Sequence, residues 1–159
     1  MGKVIVGVTM SLDGFINDRD GSVARLYPDL AELQNLPSLQ ESIRDTGAVV
    51  MGRRAFEMGD PDAYADHYEY QVPIFVLTKN APKKQPRQNE KSIIGGASVA
   101  QQCLNAGLVD ELDIDIMPVL FGDGLRLFEN LQYERIAPEK VNVMESRVRA
   151  HLRFGVLSR

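Results

Sequence analysis

Apolar residues run almost unbroken over Lys3–Met10, Ala48–Met51 and Ile74–Thr78, the pattern of strands in a sheet covered on both faces. Strict alternation instead marks Glu111–Met117 (ELDIDIM), Lys140–Arg147 and Ala150–Leu157, strands with one polar side. The last two predict an antiparallel hairpin. Helical spacing puts Leu36, Leu39 and Ile43 on one side of Leu36–Asp45, with Gly47 just beyond as a stop. A second helix is predicted over Ser98–Asn105, with Val99, Cys103 and Leu104 inward and Gly107 past its end. Asp13-Gly14 and Asp20-Gly21 are turn signals, and the polar KNAPKKQPRQNEK from Lys79 to Lys91, broken by Pro82 and Pro86, reads as loop. Early alternation of strands and helices with a closing hairpin predicts an α/β chain. Its mixed sheet is flanked by helices, in one domain over residues 1–159.

Composition narrows the function. A net charge of -4 lacks the basic face that nucleic acid requires. No apolar run approaches the ~20 residues of a membrane helix. The opening MGKVIVGVTM has too short an apolar part for a secretory signal, and Val6 stands where a myristoylation site needs Ser or Thr. These features predict a cytoplasmic protein. The lone Cys103 excludes an internal disulfide and a cysteine-rich zinc site, and it reads as a small buried hydrophobe. His67 and His151 have no carboxylate or cysteine at ligand spacing, so no metal is expected.

Two stretches have the form strand, glycine, helix: VVMGRRAFE around Gly52 and SIIGGASVAQQ around Gly95-Gly96. Each leaves backbone N–H groups free at a helix start, beside the carboxyl end of a strand. Such ends favour anions, and glycine lets a phosphate come close to the backbone. Arg53 and Arg54 would add charge-assisted donors. Two such edges on one sheet fit a dinucleotide. Taken singly, a Gly-Gly pair is also an ordinary turn, and an Arg pair is also a solvated face. No G-x-G-x-x-G follows the first strand, so the usual dinucleotide fingerprint is missing. Gly122-Asp123-Gly124 reads as a loop.

VTMSLDGFI, VVMGRRAFE, FVLTKN, IIGGASVAQQCLNAGLVDEL and PVLFGDGLRLFENL together resemble the dihydrofolate-reductase-like superfamily. Within it they are most similar to the reductase domain of bacterial riboflavin biosynthesis and its stand-alone relatives. The resemblance implies a three-layer fold with a mixed, mostly parallel central sheet, flanking helices and a C-terminal antiparallel hairpin. It implies an NADPH-dependent reductase, a homodimer, passing hydride to a small heterocyclic or carbonyl substrate as 5-amino-6-(5-phosphoribosylamino)uracil reductase does. Gly52, Arg53 and Arg54 match the block that meets the cofactor phosphates, with Ala55 where many relatives have Thr. Thr78 and Lys79 match the strand end receiving the adenosine ribose and its 2′-phosphate. Gly95, Gly96, Ala97 and Ser98 match the pyrophosphate turn, where a cis Gly95–Gly96 peptide is expected. Asp13 matches the loop over nicotinamide and substrate, as a catalytic or substrate-contacting carboxylate; its other reading is a turn residue.

Departures from the family limit the substrate. Dihydrofolate reductases carry a carboxylate early in the helix before the MGR strand, where this chain has Ser38 or Leu39 and Glu41 lies about half a turn away. Folate reduction is therefore disfavoured, and a non-catalytic nucleotide-binding protein of the same fold is the other alternative. With one cysteine, the chain cannot hold the zinc deaminase of bifunctional riboflavin enzymes. Residues 79–92 also lack the strand and helix that relatives place between LTK and IGG. Parallel strands need a crossover of a dozen or more residues. That shortness means either a lost crossover or an omitted stretch, and omission is the preferred reading.

Overall fold

A computed structural model describes residues 2–58, 64, 67–79, 94, 95 and 97–158. They group into two compact units, one built from Met1–Asp29 with Ala100–Arg159 and the other from Leu30–Val99.

The first unit carries a four-stranded sheet in the order β1-β5-β7-β6, with β1 at Ile5–Ser11, β5 at Glu111–Met117, β6 at Ile136–Glu145 and β7 at Ala150–Ser158. β1 and β5 are parallel, whereas β7 runs antiparallel to both β5 and β6. The alternation of ELDIDIM decides what each face does. Leu112 and Ile114 are buried with Leu104, Val109 and Leu127, and Val6, Val8, Met10, Phe154 and Val156 pack around them. The opposite face carries Thr9, Asp113, Asp115, His151 and Arg153, because side chains alternate along every strand. β6 begins four residues before the predicted Lys140, since Pro138 is tolerated on a strand that, among the described residues, is the sheet's edge beside β7.

The second unit holds a three-stranded parallel sheet in the order β3-β2-β4, with β2 at Val49–Gly52, β3 at Ile74–Leu77 and β4 at Ile94–Gly95. Helices α1 (Leu30–Leu33), α2 (Pro37–Asp45) and α3 (Arg53–Glu57) belong to it. Pro37 opens α2 at a position where its missing N–H costs nothing. Met51, Phe56 and Ile74 form the core, flanked by Val49, Val76, Tyr64 and Tyr68. Among the described residues one face of this sheet stays partly open, where its apolar runs predict a sheet covered on both faces: Val50, Phe75 and Leu77 are 48%, 45% and 46% exposed. Helix α4 (Ala97–Asn105) buries Val99 and Leu104 and leaves Cys103 half-buried. No helix among the described residues is long and apolar enough to cross a membrane.

Ile74–Leu77 and Ile94–Gly95 each pair in parallel with β2, on its two sides. The connection across 80–93, its expected break, and the expected cis bond at Gly96 lie outside the described residues.

Candidate functional site

The second unit's sheet aligns three carboxyl ends. Gly52 at the end of β2 stands opposite Leu77 at the end of β3, and Met51 stands opposite Gly95 at the end of β4. Thr78 and Lys79 therefore leave on one side of β2, while Ala97 and Ser98 open α4 on the other. β2 is central, with the chain passing first to one neighbour and then to the other. That is the switch point beside which open α/β sheets take ligands. Gly52 caps α3 in an extended conformation (φ -80°, ψ 158°) with no side-chain cap hydrogen bond. Thr78, Lys79 and Ser98 are exposed, as is Arg54 on α3.

Arg53 is half-exposed and has a partner in its own helix, Glu57, at 3.7 Å between Nη1 and Oε2. The i, i+4 spacing of Arg53 and Glu57 in RRAFE is the sequence signal for this pair. Of the residues matched to the cofactor, Gly52, Arg53, Thr78, Lys79, Gly95, Ala97 and Ser98 thus gather at adjoining strand ends. Arg54 follows on α3, and Gly96 lies outside the described residues.

Asp13 belongs to the first unit, and its carboxylate is engaged by its own chain. Oδ1 accepts from the Ser11 hydroxyl at 2.6 Å, Oδ2 from the Gly122 N–H at 2.7 Å, and the Phe121 N–H reaches both oxygens at 3.2 Å. The Ser11 bond foremost, with the two backbone donors, pulls its pKa down to about 2 against partial desolvation. A carboxylate held ionised in this way has no proton to give near neutrality. Gly122 and Gly124 do lie in a loop, where Gly124 (φ +142°) passes so near the 17–18 backbone that a Cβ there would sit 2.1 Å from the Asn17 carbonyl oxygen.

The polar face of the four-stranded sheet holds an ionic network that sequence spacing did not show. His151 lies between two carboxylates of the neighbouring strand: Nδ1 is 2.8 Å from Asp115 Oδ1, and Nε2 is 2.7 Å from Asp113 Oδ1 but off the hydrogen-bond line. Contact with Asp113, then Asp115, holds its pKa up at about 9 despite burial. Burial pushes the Asp113 carboxyl up, but the adjacent His151 ring and the Arg153 bond leave it below the usual range. Arg149, with a side chain 1% exposed, pairs with Asp29 and donates to Asp115 Oδ2 at 2.9 Å, Thr9 Oγ1 at 3.3 Å and the Leu26 carbonyl at 3.3 Å. Burial disfavours the Arg149 charge, and the Asp29 and Asp115 bonds more than restore it. Opposite charges are paired throughout, and no metal-holding group of His, Cys, Asp and Glu occurs among the described residues.

Residues 85–151 match the RibD C-terminal domain family. The chain resembles riboflavin-pathway reductase domains and has a dihydrofolate-reductase-like fold. A protein of Shewanella sp. PV-4, placed in riboflavin biosynthesis by its name, superposes with a TM-score of 0.75 at 21% identity over 98% of this chain and 99% of that one. The deaminase/5-amino-6-(5-phosphoribosylamino)uracil reductase of Thermotoga maritima gives 0.68 at 15% identity, over 98% of this chain and 57% of that one. Among curated sequences, uncharacterized protein YwjB of Bacillus subtilis is 26% identical over 151 residues, covering 83% of this chain and 86% of the relative.

Proposed function

We propose that this RibD-like chain is an NADPH-dependent oxidoreductase whose dinucleotide lies along the carboxyl edge of the β3-β2-β4 sheet. The observation that supports it is the gathering of Thr78-Lys79, Gly52-Arg53 and Gly95-Ala97-Ser98 at adjoining strand ends. Gly52 and Gly95 offer backbone to the phosphates without a Cβ in the way. Arg53 and Arg54 offer guanidinium donors, and the exposed Arg53–Glu57 contact is weak enough to yield to a phosphate. Thr78 and Lys79 suit the 2′-phosphate, which distinguishes NADPH from NADH. The nicotinamide supplies the hydride when bound; these residues hold and orient it.

The substrate in this reading is a small heterocyclic or carbonyl compound of the kind named for the Thermotoga relative. Both units belong to one domain over 1–159, consistent with the 98–99% coverage of this chain by solved relatives, working as a cytoplasmic homodimer. Light scattering at micromolar concentration should return twice 17.7 kDa. The binding test is thermal shift with NADPH, NADH and no ligand. NADPH at 100 times its dissociation constant should stabilise the fold by ~2.7 kcal/mol. Equal melting temperatures with and without NADPH would overturn the reading.

A further inference from the structure

In the first unit, the loops leaving parallel neighbours β1 and β5 are joined along their length. Ser11 and Met117 end the two strands side by side. Beyond them Leu12 N–H donates to the Val119 carbonyl at 2.9 Å, Ile16 N–H to Leu125 at 2.9 Å and Leu127 N–H to Gly14 at 3.1 Å. Two side chains complete the seam. Asp13 accepts from the Phe121 and Gly122 N–H groups, and Asn17 Oδ1 accepts from the Leu125 N–H at 2.9 Å. The Ser11 hydroxyl that donates to Asp13 is fully buried and accepts in turn from the Phe15 N–H, so Asp13 has little freedom to turn outward. The Arg25 guanidinium lies 5.5 Å from the Phe121 ring and donates to the Leu120 carbonyl, bracing the same loop from a third segment. Left facing outward are Leu12 and Leu120, 63% and 62% exposed.

We infer that Asp13 and Asn17 are positioning residues that weld the loop after β5 to the loop after β1, presenting Leu12, Leu120 and Phe121 as one rigid surface to the substrate. The inference rests on the reductase reading for what the surface serves, and it replaces a substrate-contacting role for Asp13. The carboxyl ends of parallel strands are where such sheets bind ligands, so a fixed loop there costs no ordering when substrate arrives. Asn17 separates the two roles. It has no proton to transfer and no charge, yet it joins the same two loops as Asp13.

The test combines amide hydrogen exchange with steady-state NADPH oxidation for the wild type, Asp13→Asn and Asn17→Ala, using 5-amino-6-(5-phosphoribosylamino)uracil as acceptor. An amide at position 13 has one acceptor oxygen where the carboxylate has two, so it cannot keep the Ser11, Phe121 and Gly122 donors together. Exchange at Phe121 and Gly122 in Asp13→Asn, and at Leu125 in Asn17→Ala, should rise about tenfold or more while the β1–β5 ladder keeps its protection. Both variants should lose kcat/KM together, by about tenfold or more, as misplacement of a binding surface predicts. Unchanged exchange at 121 and 122, or an Asn17→Ala enzyme with wild-type exchange and turnover beside a dead Asp13→Asn enzyme, would overturn it. A wild type that binds no NADPH would sink the reductase reading alone, because the exchange measurement still decides the weld.

Discussion

His151 makes the stability of the first unit depend on alkaline pH. Its ring lies between Asp113 and Asp115 with 18% side-chain exposure, and its pKa rises from 6.5 to about 9. A folded-state pKa above the unfolded value means the protonated ring favours the folded state. That contribution is complete below pH 6.5 and is lost as pH climbs through about 9. At 1.36 kcal/mol per unit, the full shift would be worth ~3.4 kcal/mol. Water reaches the site and both carboxylates already have arginine partners, which reduces this to roughly 1–2 kcal/mol. Urea unfolding at pH 6, 7.5 and 10 for the wild type and His151→Gln isolates the effect. Burial raises the pKa of Cys103 and of Tyr64, so both groups titrate in the unfolded chain first at high pH, but their contribution is common to the two proteins and cancels. The wild-type advantage should shrink by roughly 1–2 kcal/mol across that range, and the His151 ring protons should titrate near pH 9 by NMR. Parallel stability curves, or a ring titrating near 6.5, would refute the reasoning.

Two further substitutions probe the loops and the nucleotide edge. Arg53→Ala should weaken NADPH by roughly 10- to 100-fold, the loss of a charge-assisted bond, in a fluorescence titration. The ion pair it breaks is exposed and worth under ~1 kcal/mol, so a comparable loss of apo stability would make Arg53 structural. Gly124→Ala should destabilise by about 2 kcal/mol or more in urea, because its Cβ would sit 2.1 Å from the Asn17 carbonyl oxygen at a φ that L side chains avoid. A change within ~0.5 kcal/mol would show that the 17–18 backbone gives way.

The sheet strands and the glycine junctions were legible because each rests on local chemistry. Apolar runs ended at Gly52 and Gly95, and the register placed those ends side by side. The hidden part depended on pairing between distant strands. ELDIDIM shows that Asp113 and Asp115 share a face, and RAHLRF shows the same for Arg149, His151 and Arg153. Neither says that the two faces coincide until β5 pairs with β7, setting Asp113 against Arg153 and Asp115 against His151. Sequence distance likewise hid Asp13's partners, since Phe121 and Gly122 lie 108 and 109 residues away. A turn carboxylate and a catalytic one look alike in SLDG.

The exposed side of the second unit's sheet bears on the shortness of the β3-to-β4 connection. A chain passing over β2 between parallel neighbours ordinarily carries an amphipathic helix whose apolar side covers the sheet. Residues 79–91, polar and interrupted by Pro82 and Pro86, have no such side to offer. Val50, Phe75 and Leu77 are the residues such a helix would cover, and they remain about half exposed, while Met51 and Ile74 on the other face are buried. A lost crossover should therefore make the two faces of one strand respond differently. Ile74→Ala, removing a side chain 1% exposed, should cost about 2–5 kcal/mol in urea unfolding. Phe75→Thr, at the next position but on the open face, should cost under ~1 kcal/mol, because half its area is already in water and threonine suits a strand. If Phe75→Thr costs as much as Ile74→Ala, that face is covered in solution and the crossover has not been lost.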